Sequence, residues 1–181
     1  MKLEEKQVNS TEKFSGHIFK VTLDDIELPD GRPAKREVVI HRGAVCIAPL
    51  TADNKLYFVK QYRYPMREVL LELPAGRIEA GEDPRNTAER ELAEEAGLTV
   101  GKCIDLGVSY PTPGYSSEKI YLYAARVSGE CDTNPDDGEF VERVELTLDE
   151  AVEKVYNGEI NDSKTAVLVL KTAKAVKDGI L

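Results

Sequence analysis

The chain has 181 residues, with 24 Lys+Arg against 33 Asp+Glu for a formal charge of -9, and is 41% hydrophobic and 31% charged. That length and balance suit one globular domain with room for a small appendage, and they exclude a disordered chain. The acid excess excludes a general nucleic-acid binder, whose footprint is basic, and no apolar run approaches the ~20 residues needed to span a bilayer.

The N-terminal residues Met1-Lys2-Leu3-Glu4-Glu5-Lys6 hold no apolar stretch of the secretory type. Residues 15–28 alternate apolar and polar side chains (Ile18, Val21, Leu23, Ile26, Leu28), the period of a half-buried strand. Pro29-Asp30-Gly31 signals a turn and residues 36–41 resume strand character, so the chain opens with an antiparallel hairpin. Residues 44–50 and 56–61 flank Asp53-Asn54 as a second hairpin, and residues 69–73 form a short strand stopped by Pro74. Asp83 as N-cap, Pro84 at the first helical position and Gly97 as terminator then delimit a helix. Strands follow at 104–110, 120–127 and 140–146. Thr147 and Glu150 make a capping box for a second helix, and Asp162 or Ser163 caps a third. Mixed strands broken by three helices predict a layered α/β sandwich. Cys46, Cys103 and Cys131 are odd in number and lack a C-x-x-C pair, which predicts reduced thiols and a cytoplasmic setting. His17 and His41 read as ordinary strand residues.

The strongest signal lies in residues 76–97. On a helix turning about 100° per residue, Ala88, Leu92 and Ala96 make the core-facing stripe, Glu95 sits at its edge, and Glu91 and Glu94 lie beside it. Carboxylates ~5 Å apart repel by about 3 kcal/mol per pair at an intermediate dielectric, and pressing one against the core adds a desolvation cost. A solvated helix would interleave lysines at i+4; this one offers only Arg85 and Arg90. A hard divalent cation relieves the repulsion, and an all-oxygen cluster suits Mg²⁺ or Mn²⁺ over zinc.

The run Gly76 … Glu82 … Arg90-Glu91-Leu92-Ala93-Glu94-Glu95-Ala96-Gly97-Leu98 matches G-x5-E-x7-R-E-U-x-E-E-x-G-U (U aliphatic) at every position, and on it the chain resembles the Nudix hydrolase family. The resemblance implies an α/β fold, a Nudix-type α/β/α sandwich with a mixed sheet, preceded by a small N-terminal antiparallel β-hairpin or sheet. It also implies a division into an N-terminal β subdomain at 1–43, which dimerises, and a hydrolase domain at 44–181. By the same resemblance Glu91, Glu94, Glu95 and the Ala75 carbonyl hold two or more metal ions, Mg²⁺ or Mn²⁺. Glu82 and Arg90 look like the pair that fixes the loop–helix geometry.

Outside this motif the chain resembles bacterial ADP-ribose pyrophosphatases from about residue 2 to residue 172. Pro113 falls 16 positions after Gly97, inside Tyr110-Pro111-Thr112-Pro113-Gly114, and Glu118 occupies a downstream acidic position typical of that subgroup. Gln61-Tyr62-Arg63 precedes Leu71-Glu72-Leu73-Pro74-Ala75-Gly76 as it does there. Asp136-Asp137-Gly138-Glu139 resembles an acidic loop that supplies the catalytic base and a further metal contact, with Glu139 expected in that role and Asp137 as the alternative. Gly138 departs from the acidic or amide residue often found at that point. The implied reaction is metal-dependent hydrolysis of ADP-ribose to AMP and ribose 5-phosphate; the alternatives are another nucleoside diphosphate derivative such as GDP-mannose, or a module that senses ADP-ribose without turnover. Arg36 and Arg63 are candidates to grip the diphosphate, because guanidinium binds phosphate oxygens in pairs. Phe19, Tyr62, Tyr64 and Tyr115 are candidates to stack on adenine, and Pro113, Gly114 and Glu118 complete the expected substrate contacts. Related enzymes are homodimers that exchange their N-terminal strands, so the expected partners are a nucleotide substrate and a second copy, with neither nucleic acid nor membrane.

Charge placement agrees with this division of labour. Residues 76–97 hold seven acids and three bases, residues 130–150 nine acids and one base, and residues 31–67 eight bases and two acids. The chain is acidic where it is expected to hold cations and basic where it is expected to meet phosphate.

Overall fold

The structure, a computed structural model, describes residues 3–134, 138 and 140–181. The strands are β1 (Lys6–Ser15), β2 (Phe19–Glu27), β3 (Pro33–His41), β4 (Ala44–Leu50), β5 (Lys55–Arg63), β6 (Glu68–Glu72), β7 (Ala75–Arg77), β8 (Leu98–Ser109), β9 (Ile120–Glu130) and β10 (Glu142–Thr147). The helices are α1 (Pro84–Ala96), α2 (Leu148–Tyr156) and α3 (Ser163–Lys177). The chain divides into two compact units, residues 1–43 with 110–119, and residues 44–109 with 120–181.

The first unit is a three-stranded antiparallel sheet in the order β1-β2-β3. The sequence pattern predicts β2 and β3 but not β1, which is exposed at all ten positions and so carries no apolar alternation. It is held by its backbone pairing with β2 and by side chains such as Ser10, whose hydroxyl donates to Asp24 at 2.6 Å. Residues 110–119 belong to this unit, with Val39 N–H donating to the Tyr115 carbonyl and Ser117 N–H to that of Val39. His17 lies in the turn between β1 and β2, whereas His41 ends β3.

The second unit is a mixed sheet in the order β10-β5-β4-β9-β8, with β6 paired to β5 and β7 to β4. β4 and β9 are parallel; the other pairs are antiparallel. Side chains alternate along β4 with the two-residue strand period. Val45 and Ile47 pack with Ala88, Leu92 and Ala96 of α1. Cys46, Ala48 and Leu50 pack with Leu148 and Ala151 of α2 and Leu168 and Val169 of α3. The result is an α/β/α sandwich. Thr147 and Glu150 form the reciprocal capping box of α2, and Asp162 is the N-cap of α3. The three cysteines are free. Among the described residues no helix is long and apolar enough to cross a membrane.

Candidate active site

The acidic helix α1 begins and ends where its punctuation demands. Asp83 Oδ1 accepts from Arg85 N at 2.9 Å and Asn86 N at 3.4 Å, and Pro84 occupies the first turn. Gly97 ends the helix at φ 66, a left-handed conformation that favours glycine, and a Cβ there would stand 2.8 Å from the Cys131 carbonyl oxygen. Ala88, Leu92 and Ala96 are fully buried on the core stripe, and Glu95 beside them is 8% exposed.

β7 runs directly under this helix. Ala75 N–H donates to Glu95 Oε2 at 3.0 Å, which ties the buried carboxylate to the residue whose carbonyl is the candidate fourth donor. Gly76 follows, and a Cβ on it would fall 1.9 Å from the Glu91 carboxyl carbon. The glycine therefore makes the room that the Glu91 carboxylate occupies. Arg90 binds both carboxylate oxygens of Glu82 at 3.1 Å, the expected clamp between the loop and the helix. Its Nη1 also reaches Glu94 Oε2 at 2.8 Å and Glu91 Oε1 at 2.9 Å. The Arg90 hydrogen bond holds the Glu82 carboxyl down at about 2.

The acidic loop lies between two segments fastened to the last turn of α1. Before it, Asn134 N–H donates to the Glu94 carbonyl at 3.1 Å. After it, Arg143 Nη1 donates to the Ala96 carbonyl at 3.1 Å, with its guanidinium 4.9 Å from the Tyr57 ring centre. Glu139 and Asp137, the expected base and its alternative, lie outside the described residues. A cleft of about 580 Å³ opens beside Glu95, lined among others by Tyr62, Val69, Phe140 and Arg143.

Arg63 has one edge of its guanidinium engaged within the protein. Its Nε and Nη2 donate to the two oxygens of Glu72 at 2.6 and 2.7 Å, and Glu72 is 1% exposed. Lys164, at the start of α3, bonds the same carboxylate and also Asp162 at 2.9 Å. Burial disfavours the Glu72 charge, but these two cations outweigh it and hold the carboxyl below its ordinary range. The sequence reading did not single out this network. Its signal is Glu72 closing the apolar run at residues 69–71 and followed by Leu73, an acid that folding can bury only against a cation.

Arg36, Pro113, Gly114 and Glu118 lie in the first unit, as do Phe19 and Tyr115, whereas Tyr62 and Tyr64 lie in the second. Arg36 pairs with Glu5 through Nε at 3.0 Å and through Nη2. Pro113 and Gly114 sit in the turn that precedes Tyr115, and Glu118 stands 3.7 Å from His41 Nδ1. Of the aromatic candidates, Phe19 packs on Phe14 with ring centres 5.9 Å apart, and Tyr64 carries the Arg67 guanidinium at 3.6 Å. Tyr62 and Tyr115 are more than half exposed. The structure thus sets Glu95 on Ala75 and Glu91 on Gly76, with Glu94 linked to Glu91 through Arg90.

Among the described residues no three His, Cys, Asp or Glu side chains converge tightly enough to hold a metal ion as they stand; Arg90 and the β7 backbone engage the glutamates. The donor chemistry nevertheless fits a hard divalent ion, being carboxylate and carbonyl oxygen throughout. The side-chain-free position at Gly76 leaves room for the Glu91 carboxylate against β7.

An α/β/α sandwich with a carboxylate helix laid on a short strand is the class this geometry defines. The NUDIX domain model matches residues 39–168, and a nucleoside diphosphate sugar hydrolase N-terminal domain model matches residues 5–39. The chain belongs to the Nudix hydrolase family. It is 43% identical over 179 residues to the methanol dehydrogenase activator of Bacillus methanolicus, covering 96% of each chain. It is 38% identical over 169 residues to the ADP-ribose pyrophosphatase of Bacillus subtilis (strain 168), covering 92% of this chain and 91% of that one. A crystal structure of an ADP compounds hydrolase matches 100% of both chains with a TM-score of 0.85 at 22% identity, a likeness of fold. Nudix hydrolases generally need divalent metal ions.

Proposed function

We propose that the protein hydrolyses the diphosphate bond of ADP-ribose, giving AMP and ribose 5-phosphate. The observation that carries this reading is the arrangement on α1, where Glu95 accepts from Ala75 N–H and Glu91 lies over Gly76. The choice of substrate is supported by the 38% identity to an ADP-ribose pyrophosphatase across nearly the whole chain.

Glu91, Glu94, Glu95 and the Ala75 carbonyl would hold Mg²⁺ or Mn²⁺, two or more ions per site. Bound there, the ions supply Lewis acidity toward phosphoryl oxygens and lower the pKa of water. Glu139 takes the proton from the attacking water, with Asp137 as the alternative base. Arg63 offers the diphosphate the guanidinium edge turned away from Glu72, because a planar fork with Nε and Nη2 engaged still has both Nη1 protons. Arg36, Pro113, Gly114 and Glu118 serve substrate binding in a homodimer that exchanges N-terminal strands, and the protein acts in the cytoplasm.

A second reading is favoured by the 43% identity to an activator protein: this chain acts on a partner dehydrogenase. Product analysis separates the two. The panel is ADP-ribose, GDP-mannose, NADH and a nucleoside triphosphate, each with Mg²⁺ and with a chelator. AMP and ribose 5-phosphate from ADP-ribose, abolished by chelation, is the expected result. No hydrolysis of any compound would overturn it in favour of the activator or the sensor reading.

A further inference from the structure

We infer that Lys164, at the start of α3 and outside the family motif, is a positioning residue that orients Arg63 for the substrate diphosphate through Glu72. The inference rests on the proposed role of Arg63 and adds the device that makes that role possible. Arg63 and Glu72 form a bidentate pair, so the direction of the free guanidinium edge is set by where the Glu72 carboxylate is held. Lys164 supplies a second cation to the same carboxylate and is itself largely buried, its side chain 12% exposed. Asp162, at 2.9 Å from Lys164 Nζ, balances the Lys164 charge while its Oδ2 also accepts from Thr165 N at 3.0 Å as the helix cap. Two cations and two carboxylates therefore make a neutral cluster, in which every charged group has a partner of opposite sign.

The cluster is fixed to the strand end that leads into the site. Thr165 Oγ1 accepts from Leu73 N at 3.0 Å, two residues before Ala75, whose own N–H is spent on Glu95. The first turn of α3 thus holds the Arg63 fork and the approach to the carboxylate site from one side. Without Lys164 the cluster becomes net negative where an anionic diphosphate has to bind, and Glu72 loses the contact that fixes its carboxylate.

The test compares kcat and KM for ADP-ribose in wild type, Lys164→Met, Lys164→Arg and Arg63→Ala, with Mg²⁺ in excess. Lys164→Met is expected to raise KM about tenfold and leave kcat close to wild type, the signature of lost binding common to ground and transition states. Lys164→Arg is expected to restore KM, and Lys164→Met to add little in an Arg63→Ala background. A Lys164→Met enzyme with wild-type KM, beside an Arg63→Ala enzyme with raised KM, would overturn the inference alone. If Arg63→Ala leaves KM unchanged, the role of Arg63 falls and the inference with it. Should Lys164→Met fail to fold, Lys164→Gln, which keeps a donor to Glu72 without the charge, is read against the same outcomes.

Discussion

At the scale of single residues, Gly76 shows how one position can be set by a neighbour's charge. Its backbone needs no left-handed φ; what it needs is the absence of a Cβ, which would meet the Glu91 carboxylate. Because the obstructed group is the end of a flexible side chain, Gly76→Ala is expected to displace the carboxylate and leave the fold intact. Turnover should fall by more than about tenfold with a nearly unchanged melting temperature, read by steady-state kinetics and calorimetry. Glu82 gives a second expectation. Arg90 holds its carboxyl at about 2 in the fold, below the ordinary 4.5, so the clamp's contribution to stability is full above pH 4.5 and is lost as pH falls toward 2. Melting temperatures of wild type and Glu82→Gln should therefore differ by a constant amount above that range and converge below it.

At the scale of elements, α1 was legible because its limits are written in side-chain chemistry: Asp83 caps it, Pro84 opens it and Gly97 closes it. The same holds for α2, whose Thr147 and Glu150 cap each other. Thr147→Ala is expected to cost about 1 kcal/mol and lower the melting temperature by roughly 3 °C, with kcat unchanged, because the box lies outside the proposed catalytic set. What stayed illegible is held by backbone or by distant partners. β1 is exposed throughout and β7 has three residues, so neither carries a period to read. The carboxylates of the site were visible as a motif. Their counterions were visible only in part: Arg90 lies in the same helix, but the Lys164–Glu72 contact joins residues 92 positions apart. Likewise the fastening of Asn134 and Arg143 to the end of α1 uses main-chain carbonyls, which no side-chain pattern announces.

At the scale of the whole molecule, the charge of -9 resolves into acidic segments at 76–97 and 130–150 and a basic segment at 31–67. A three-stranded sheet whose first strand is exposed along its length offers little core of its own, which supports docking on a second copy. Sedimentation is expected to give twice the 20.1 kDa chain mass; a fully active monomer would contradict the dimer. The central claim, that the glutamates of α1 drive cleavage of ADP-ribose, is tested most directly by AMP release from ADP-ribose in wild type and Glu95→Gln. Glutamine keeps an oxygen to accept from Ala75 N–H, so the fold should survive while the charge is lost. The account predicts AMP and ribose 5-phosphate from the wild type and a rate lower by orders of magnitude in a folded Glu95→Gln. Near-normal turnover in that variant would contradict it.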